Sequence, residues 1–316
     1  MSENSPPSSP PRGSRARLHP VVRAVLYLVT YFLSLLAIQV PIGALWLGLN
    51  LTANGPVDDM VARLQMDILS PAWLLPLSVL QFLAILAITY LFRRFIDRQS
   101  LQGLGLDRRR GWVSELLAGA GLGLGVMAVI FVLQWVSGWA RISLTGEPSD
   151  TALLGLLAYV IIFLAVAGSE ELMFRGYLLQ TLEEWPGVIP AVIVSSVLFG
   201  VFHGLNPNVN VLALAQLILA GLVFAYTYLV TRRLWLPIAL HFAWNFFQGP
   251  VFGFPVSGVP SGGLFSVEPA GPTLITGGAF GPEGGLSGLI GLGLIAFAVW
   301  RWKGRWLLPQ RCSAGH

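Results

Sequence analysis

Eight long apolar segments run through this 316-residue sequence and restrict what it can fold into. They lie at residues 21–49, 71–95, 112–137, 151–180, 187–206, 211–231, 234–248 and 286–302. A helix of about 20 such residues spans the hydrocarbon layer of a bilayer. Because 55% of the residues are hydrophobic and only 11% are charged, a water-soluble globule is excluded. The sequence predicts an all-α fold, a polytopic transmembrane helix bundle of about eight spans.

The basic residues predict the orientation of this bundle. If the N-terminus is cytoplasmic, 16 of the 19 Lys and Arg residues fall in cytoplasmic segments, as the positive-inside rule requires. Both termini are then cytoplasmic. We predict a multi-pass protein of the cell inner (plasma) membrane, with the lipid bilayer as a partner. Orientation accounts for the net charge of +4, so nucleic acid is not an expected partner. The use of 18 Arg against one Lys is typical of a GC-rich bacterial genome.

The rest of the chain divides by composition. Residues 1–20 are rich in Pro, Ser and Arg and predict a disordered cytoplasmic tail. Residues 21–303 form a single predicted transmembrane domain, in which 151–248 is the core that carries the polar residues. The segment 249–285 is dense in Gly and Pro and predicts an irregular outer loop. Residues 304–316 are predicted to be a second cytoplasmic tail.

Three of the spans carry polar side chains, which are costly in lipid and therefore candidates for function. They are Glu170, Glu171 and Arg175 in the fourth span, His203 at the end of the fifth, and His241 and Asn245 in the seventh. Glu171 and Arg175 are spaced i,i+4 and are expected to neutralise each other. Glu170 then lies on an adjoining helix face and stays available for chemistry. His241 and Asn245 share one stripe of their helix.

Helix rise predicts that these residues lie at one depth. Glu170 precedes Pro186 in the turn of the helical hairpin by 16 residues, and His203 follows it by 17, so both lie roughly 25 Å from the turn. His241 is eight residues past Arg233, the last arginine before the seventh span, and so lies about 12 Å from it by the same rise. The levels agree if the hairpin projects beyond the membrane. His203 is then so close to the outer segment 206–208 that this segment must be extended, re-entrant or strongly tilted.

At these residues the sequence resembles a known family. The patterns Glu170-Glu171-x-x-x-Arg175, Phe199-x-x-x-His203 and His241-x-x-x-Asn245 are similar, in order, to the three motifs of the CPBP (Abi) family of intramembrane proteases. This family includes the CaaX prenyl endopeptidase of the Rce1 type. The resemblance covers about 151–248, and Leu104-Gly105-Leu106 is also typical of the family. It implies peptide-bond hydrolysis within the membrane, at a cavity open toward the cytoplasm.

The resemblance implies a role for each residue, and the chemistry of amide hydrolysis agrees with it. Glu170 and His203 would activate a water, and His241 and Asn245 would donate hydrogen bonds to the oxyanion. Glu171 and Arg175 would support the fourth helix behind them. The expected partner is a membrane-associated peptide or protein substrate, with or without an attached lipid.

The sequence does not decide whether the protein uses a metal cofactor. Glu170, His203 and His241 with an open water position would be an acceptable catalytic zinc set, and the family is commonly labelled metalloprotease. Asn245 favours a metal-free glutamate protease, because an amide is a poor zinc ligand but a good oxyanion donor. No cofactor is certain from the sequence, and zinc is the one considered.

Other functions were weighed against the protease. The HExxH motif of zinc site-2 enzymes is missing. The tetrapeptide Gly285-Leu286-Ser287-Gly288 matches a rhomboid-like GxSG, but it lies at the outer end of the last span, far from the histidines. The alternative is a non-enzymatic membrane scaffold or bacteriocin-immunity factor that uses the same polar cluster to bind a partner. A transporter is the third choice, because no broken helix pairs or duplicated halves are evident.

Overall fold

A computed structural model describes residues 18–50, 63, 64, 67, 69–108, 110–146 and 149–306. Most of the two predicted tails, at 1–20 and 304–316, lies outside these residues. Within them the chain is a polytopic bundle of apolar helices, which confirms the predicted fold class.

The helices follow one another along the chain with few other elements. The longer ones are α1 (Pro20–Asn50), α2 (Pro71–Leu91), α3 (Trp112–Val136), α4 (Ser149–Glu171), α6 (Val188–Phe202), α7 (Val211–Thr231), α8 (Trp235–Phe246) and α10 (Leu286–Trp306), and the short ones are α5 (Leu179–Glu183) and α9 (Thr273–Thr276). Turns of π-helix at Phe92–Ile96, Leu172–Leu178 and Phe247–Val251 continue α2, α4 and α8. Short 3₁₀ turns lie at Leu101–Leu104, His203–Leu205, Gly278–Phe280 and Pro282–Gly284.

Six helical stretches among the described residues are long and apolar enough to cross a membrane. They are Pro20–Asn50, Pro71–Ile96, Trp112–Val136, Thr151–Glu183, Val188–Leu205 and Val211–Thr231. The last two of the eight predicted spans are shorter helices. α8 has 12 residues before its π-helical turn, which contains Pro250, and the apolar part of α10 is Leu286–Trp302. Pro interrupts a helix because it removes a backbone donor.

A small sheet lies at one end of the bundle, in two segments that lie outside the predicted spans. Strands β1 (Ala140–Leu144) and β2 (Phe265–Pro269) pair antiparallel, with Ala140 opposite Pro269 and Leu144 opposite Phe265. β1 follows α3, and β2 lies within the Gly/Pro-rich segment 249–285. Both strands alternate apolar and polar residues, which is the period of a strand. The outer loop is therefore built from short ordered elements.

The two ends of the bundle differ in chemistry. We call one the arginine-rich end, where Arg23 pairs with Asp97 at 2.7 Å and with Glu184. On the same end Arg232 pairs with Glu183 at 2.7 Å. The other, the loop end, holds the sheet and the segments 206–210 and 249–285. Ion pairs thus join α1, the end of α2, the α5–α6 turn and α7 where they meet the arginine-rich end.

Glycines let α3 pack closely on α8, the helix that carries His241. A Cβ on Gly119 would come within 2.6 Å of the Leu236 carbonyl oxygen, and one on Gly123 within 2.6 Å of the Ala243 Cβ. Small residues spaced four apart allow this close backbone approach between membrane helices. The position of α8 in the bundle therefore depends on the absence of side chains at these two residues.

Candidate functional site

The first motif lies where α4 changes from α-helix to π-helix. Glu170 and Glu171 are the last residues of α4, and Arg175 lies in the π-helical turn Leu172–Leu178. All seven residues of that turn are buried. Such π-turns inside α-helices occur frequently at functional sites. A π-turn is wider than an α-helical turn, so it shifts the angular positions of the residues on its two sides. The directions of Glu170 and Glu171 around the helix axis are therefore offset relative to the residues that follow the turn.

Glu171 and Arg175 form the ion pair that the sequence predicted. Arg175 Nη1 donates to Glu171 Oε1 at 2.9 Å, and Arg175 Nη2 donates to the Gly221 carbonyl oxygen at 3.0 Å. The guanidinium lies over the Phe199 ring, 4.4 Å from its centroid. Arg175 is 1% exposed. The pair is fully desolvated and fastens α4 to α7.

His241 makes a contact that sequence reasoning missed. Its Nδ1 lies 2.9 Å from Glu171 Oε1, the oxygen that also accepts from Arg175. A carboxylate paired with a guanidinium only accepts hydrogen bonds, so Nδ1 is the donor. The Phe224 ring stacks on the imidazole at 4.9 Å and 16°. The i,i+4 spacing showed which helix faces were polar, but it could not show that the fourth and seventh spans meet at Glu171.

Glu170 faces two imidazole nitrogens. Its Oε2 lies 3.8 Å from His203 Nε2 and 3.8 Å from His241 Nε2. His203 Nδ1 donates to the Phe199 carbonyl oxygen at 2.7 Å, which leaves a lone pair on the Nε2 of neutral His203. Glu170 Oε2 is buried without a hydrogen-bond partner in the described part of the chain. Gaps of this length between polar atoms are where a bridging water fits.

The predicted residues converge on one cavity of about 290 Å³. Glu170, His203, His241 and Asn245 all line it, whereas Glu171 and Arg175 lie behind its wall. Its other walls are mainly apolar and aromatic. Polar residues that the sequence analysis did not single out also line it: Tyr31, Asn206, Gln216, Ser257, Ser261 and Glu283.

Glu283 is the clearest of these additions. It accepts from Trp244 Nε1 at 2.9 Å, and from the backbone N–H and Oγ of Ser257 at 2.6 and 2.8 Å. Glu283 lies in the segment 249–285, which the sequence predicted to be an irregular outer loop. The same segment contains Glu268, which is exposed on β2, so an acid in the loop gave no signal that Glu283 returns into the bundle.

The segment after His203 resolves the question of depth. α6 ends at Phe202, one 3₁₀ turn follows, and Asn206 then donates its side-chain amide to the Ser257 carbonyl oxygen at 3.0 Å. Gly258 packs so closely on the Pro207 carbonyl oxygen that a Cβ there would lie 1.9 Å from it. The segment that follows His203 thus lies directly against the outer loop at Ser257 and Gly258.

Glu170, His203 and His241 offer the donor types of a zinc site, because two imidazoles and a carboxylate are common zinc ligands. However, the described residues contain no group of three or more His, Cys, Asp or Glu arranged to hold a metal ion. His241 donates from Nδ1 to Glu171, a contact that metal-ligating histidines commonly make and that leaves Nε2 available. The donor types therefore suit zinc, although the described side chains are not assembled around an ion site.

Known proteins match the part of the chain that holds the site. Residues 152–247 match the family described as "Type II CAAX prenyl endopeptidase Rce1-like". A Bacillus subtilis (strain 168) protein named "Putative membrane peptidase YdiL" is 28% identical over 177 residues, which cover 54% of this chain and 68% of the relative. An Escherichia coli protein named "Uncharacterized 24.3 kDa protein" is 32% identical over 128 residues, or 37% of this chain and 57% of the relative. No solved structure matches.

The matched region runs from the fourth span to the seventh, and it contains all six of the polar residues that the sequence analysis selected. The apolar helices around it make the protein a multi-pass membrane protein. The predicted resemblance is therefore confirmed: residues 152–247 are similar to the Rce1-like CAAX endopeptidase family.

Proposed function

We propose that the protein is an intramembrane endopeptidase of glutamate type, which hydrolyses a peptide bond with a water activated by Glu170 and His203. The observation that carries this proposal is the position of Glu170 Oε2, unpartnered and 3.8 Å from His203 Nε2. A water about 2.8 Å from each atom fits between them. The match to a CAAX endopeptidase family supports the reaction class.

In this mechanism each proton has a defined route. The water oxygen attacks the carbonyl carbon while its proton passes to Glu170, and His203 Nε2 accepts the second O–H as a hydrogen bond. The carbonyl becomes an oxyanion. Glu170 then gives its proton to the amide nitrogen, the C–N bond breaks, and the products are a carboxylic acid and an amine. One carboxylate serves first as base and then as acid.

His241 and Asn245 would stabilise the oxyanion. The Asn245 amide lines the same cavity and offers N–H donors. His241 Nδ1 already donates to Glu171, so Nε2 carries a proton only in the imidazolium form. Glu170 Oε2 lies 3.8 Å from Nε2 and Glu171 Oε1 lies 2.9 Å from Nδ1. Preorganised donors in a site shielded from water are worth more than the same donors in water.

No step of this mechanism needs a metal. The substrate class is a membrane-associated peptide or protein, and the membrane is the inner (plasma) membrane that the sequence predicts. The lipid-modified substrates suggested by the family description are included in that class.

The test compares new peptide N-termini in membranes of cells that produce the wild type, Glu170→Gln or, as a matched control, Glu268→Gln. Glu268 is an exposed acid of β2. We expect a set of N-termini present with the wild type and Glu268→Gln and lost with Glu170→Gln at equal protein level. If Glu170→Gln leaves both the N-termini and the cellular phenotype unchanged, the protease is wrong, and the scaffold or immunity factor remains.

A further inference from the structure

The position of the cavity along the membrane normal is informative about substrate entry. At the arginine-rich end, the Tyr27 and Tyr177 rings stack at 4.2 Å, and Phe92 packs edge-on against both. Directly beyond them lie the buried Arg23 and Asp97. The neighbouring π-helical turn Leu172–Leu178 is buried throughout. Packed aromatic rings and a desolvated ion pair therefore close the bundle between Glu170 and this end.

The cavity extends in the opposite direction. Tyr31, eight residues after Arg23 and hence about 12 Å along α1, lines its inner part together with Phe174. Its outer part is lined by Leu74 near the start of α2, by Tyr159 in α4, and by Val256 and Ser261 of the outer loop. A second cavity of about 290 Å³ shares Tyr31 and Glu170 and runs between α1 and α2 past Gln39 and Ser78. Both cavities reach Met173, next to Glu170, and extend from there toward the loop end.

Exposed apolar side chains flank the cavity at the loop end. Leu205, directly before Asn206 of the cavity wall, is 98% exposed, and Val211 at the start of α7 is 86% exposed. Asn206, Asn208 and Asn210 lie between them, so the two apolar side chains border a polar segment. Within the described chain no Lys or Arg lines the first cavity, whereas Glu170 and Glu283 do. Its wall therefore suits an apolar segment without acidic side chains.

We propose that the catalytic cavity is loaded from the face of the membrane opposite the arginines, by an apolar, non-acidic peptide segment that lies in the outer leaflet. The positive-inside rule makes the arginine-rich end cytoplasmic, so entry is from the non-cytoplasmic side. This differs from the cytoplasmic opening that the family resemblance implied. The inference rests on the proposed function for the reaction, but the route of access follows from the packing alone.

Cysteine labelling tests the route without any need for activity. In a Cys312→Ser background, Val166→Cys places a thiol in the wall of both cavities, one helical turn from Glu170. Leu164→Cys is the matched control on the lipid-facing side of the same helix, and Gln102→Cys reports the arginine-rich end. Thiols react as thiolates, so a membrane-impermeant maleimide modifies only those that face water.

We expect Val166→Cys to be modified in intact cells, Leu164→Cys to stay unmodified, and labelling of Gln102→Cys to be lost unless the cells are permeabilised. Modification of Val166→Cys only after permeabilisation, or from neither side, overturns the route. So does modification of Gln102→Cys in intact cells. If Val166→Cys is labelled from outside but Glu170→Gln abolishes no cleavage, the proposed function fails and the access route stands.

The occupant is tested in proteoliposomes with two synthetic transmembrane peptides of Leu and Ala, one of which carries two Asp residues in its outer half. We expect the neutral peptide to slow labelling of Val166→Cys. The acidic peptide should protect about tenfold less well, as expected for charge repulsion in a poorly solvated site. Equal protection by both peptides, or protection by neither, contradicts the proposed occupant.

Discussion

His241 Nδ1 lies 2.9 Å from Glu171 Oε1 and so ties the seventh predicted span to the fourth. The same oxygen accepts from Arg175, whose second nitrogen reaches the Gly221 carbonyl oxygen of α7. Three helices are thus joined by one carboxylate behind the cavity. Glu171 therefore holds helices together, whereas Glu170 faces the cavity. Replacing Glu171 should mainly lower stability, and replacing Glu170 should mainly lower activity.

Replacing Glu171 should destabilise the protein. Glu171→Gln keeps an acceptor for His241 but leaves the buried Arg175 without a counter-charge, which costs about 3–5 kcal/mol. Glu183→Gln is the matched control, because Glu183 pairs with an Arg232 that is 52% exposed, and exposed pairs contribute at most about 1 kcal/mol. Thermal unfolding in detergent, followed by circular dichroism, measures both. Equal losses of stability in the two variants would contradict the role given to Glu171.

Replacing Asn245 should lower turnover. Loss of one oxyanion donor in Asn245→Ala is expected to reduce kcat by about 10²–10³ with little change in KM. Asn210→Ala provides the comparison, because Asn210 Oδ1 caps α7 by accepting from the Ala213 N–H at 3.0 Å. That variant loses about 1 kcal/mol of stability and keeps its kcat. A raised KM with unchanged kcat in Asn245→Ala would assign the amide to substrate binding instead.

Adding a methyl group between α3 and α8 should displace the site. A Cβ on Gly123 would meet the Trp244 backbone nitrogen at 2.8 Å, whereas one on Gly125 would meet nothing within 4 Å. We expect Gly123→Ala to lower stability by about 1–3 kcal/mol through overpacking and to reduce cleavage, and Gly125→Ala to behave as the wild type. Unfolding temperatures and the yield of new N-termini compare the pair. Identical behaviour would show that α8 is held otherwise.

Glu283 should hold the outer loop over the cavity. Glu283→Ala removes the acceptor for Trp244 and Ser257, and each donor left unsatisfied costs about 1–3 kcal/mol. Proteolysis of the segment 249–285 from the non-cytoplasmic side should therefore accelerate. Glu268→Ala on the exposed face of β2 should not change it. Unaltered proteolysis of Glu283→Ala would mean that other contacts hold the loop.

Activity should not depend on zinc. If His241 Nε2 donates to the oxyanion it carries a proton and cannot bind a metal. Protein purified without chelators should then hold less than one zinc per chain and should retain activity after treatment with EDTA. Elemental analysis and cleavage assays measure the two quantities. One zinc per chain, together with loss of activity on chelation and its recovery on zinc addition, would replace the mechanism given above.

Much of this arrangement could be predicted from the sequence. Hydropathy predicted the bundle, because backbone groups in lipid must be satisfied within helices. Helical periodicity predicted the Glu171–Arg175 pair and the similar level of Glu170 and His203. These inferences depend on residues close in sequence, or on counting from a turn, which is why they succeeded.

The remaining features depend on contacts distant in sequence. The bond between His241 and Glu171, the return of Glu283 to Trp244, and the pairing of β1 with β2 each join residues at least 39 positions apart. Span counting from charges also gives no measure of packing, so it could not show which side of Glu170 is closed. That information lies in the packing of the Tyr27 and Tyr177 rings on each other and on Phe92. In the sequence, these three residues look like any other aromatic residues of the apolar spans.

The π-helical turn Leu172–Leu178 also limits how this segment can change in length. A single deletion there would return the stretch to ordinary α-helix at little backbone cost, since a π-turn is one residue wider than the α-helical turn it replaces. It would also rotate everything on the N-terminal side by about 100° and turn Glu170 away from both imidazoles. Natural variants of this chain should therefore accept substitutions within the turn more readily than the loss of one residue. An alignment gap inside it would mark a copy that has kept its helices and lost its chemistry.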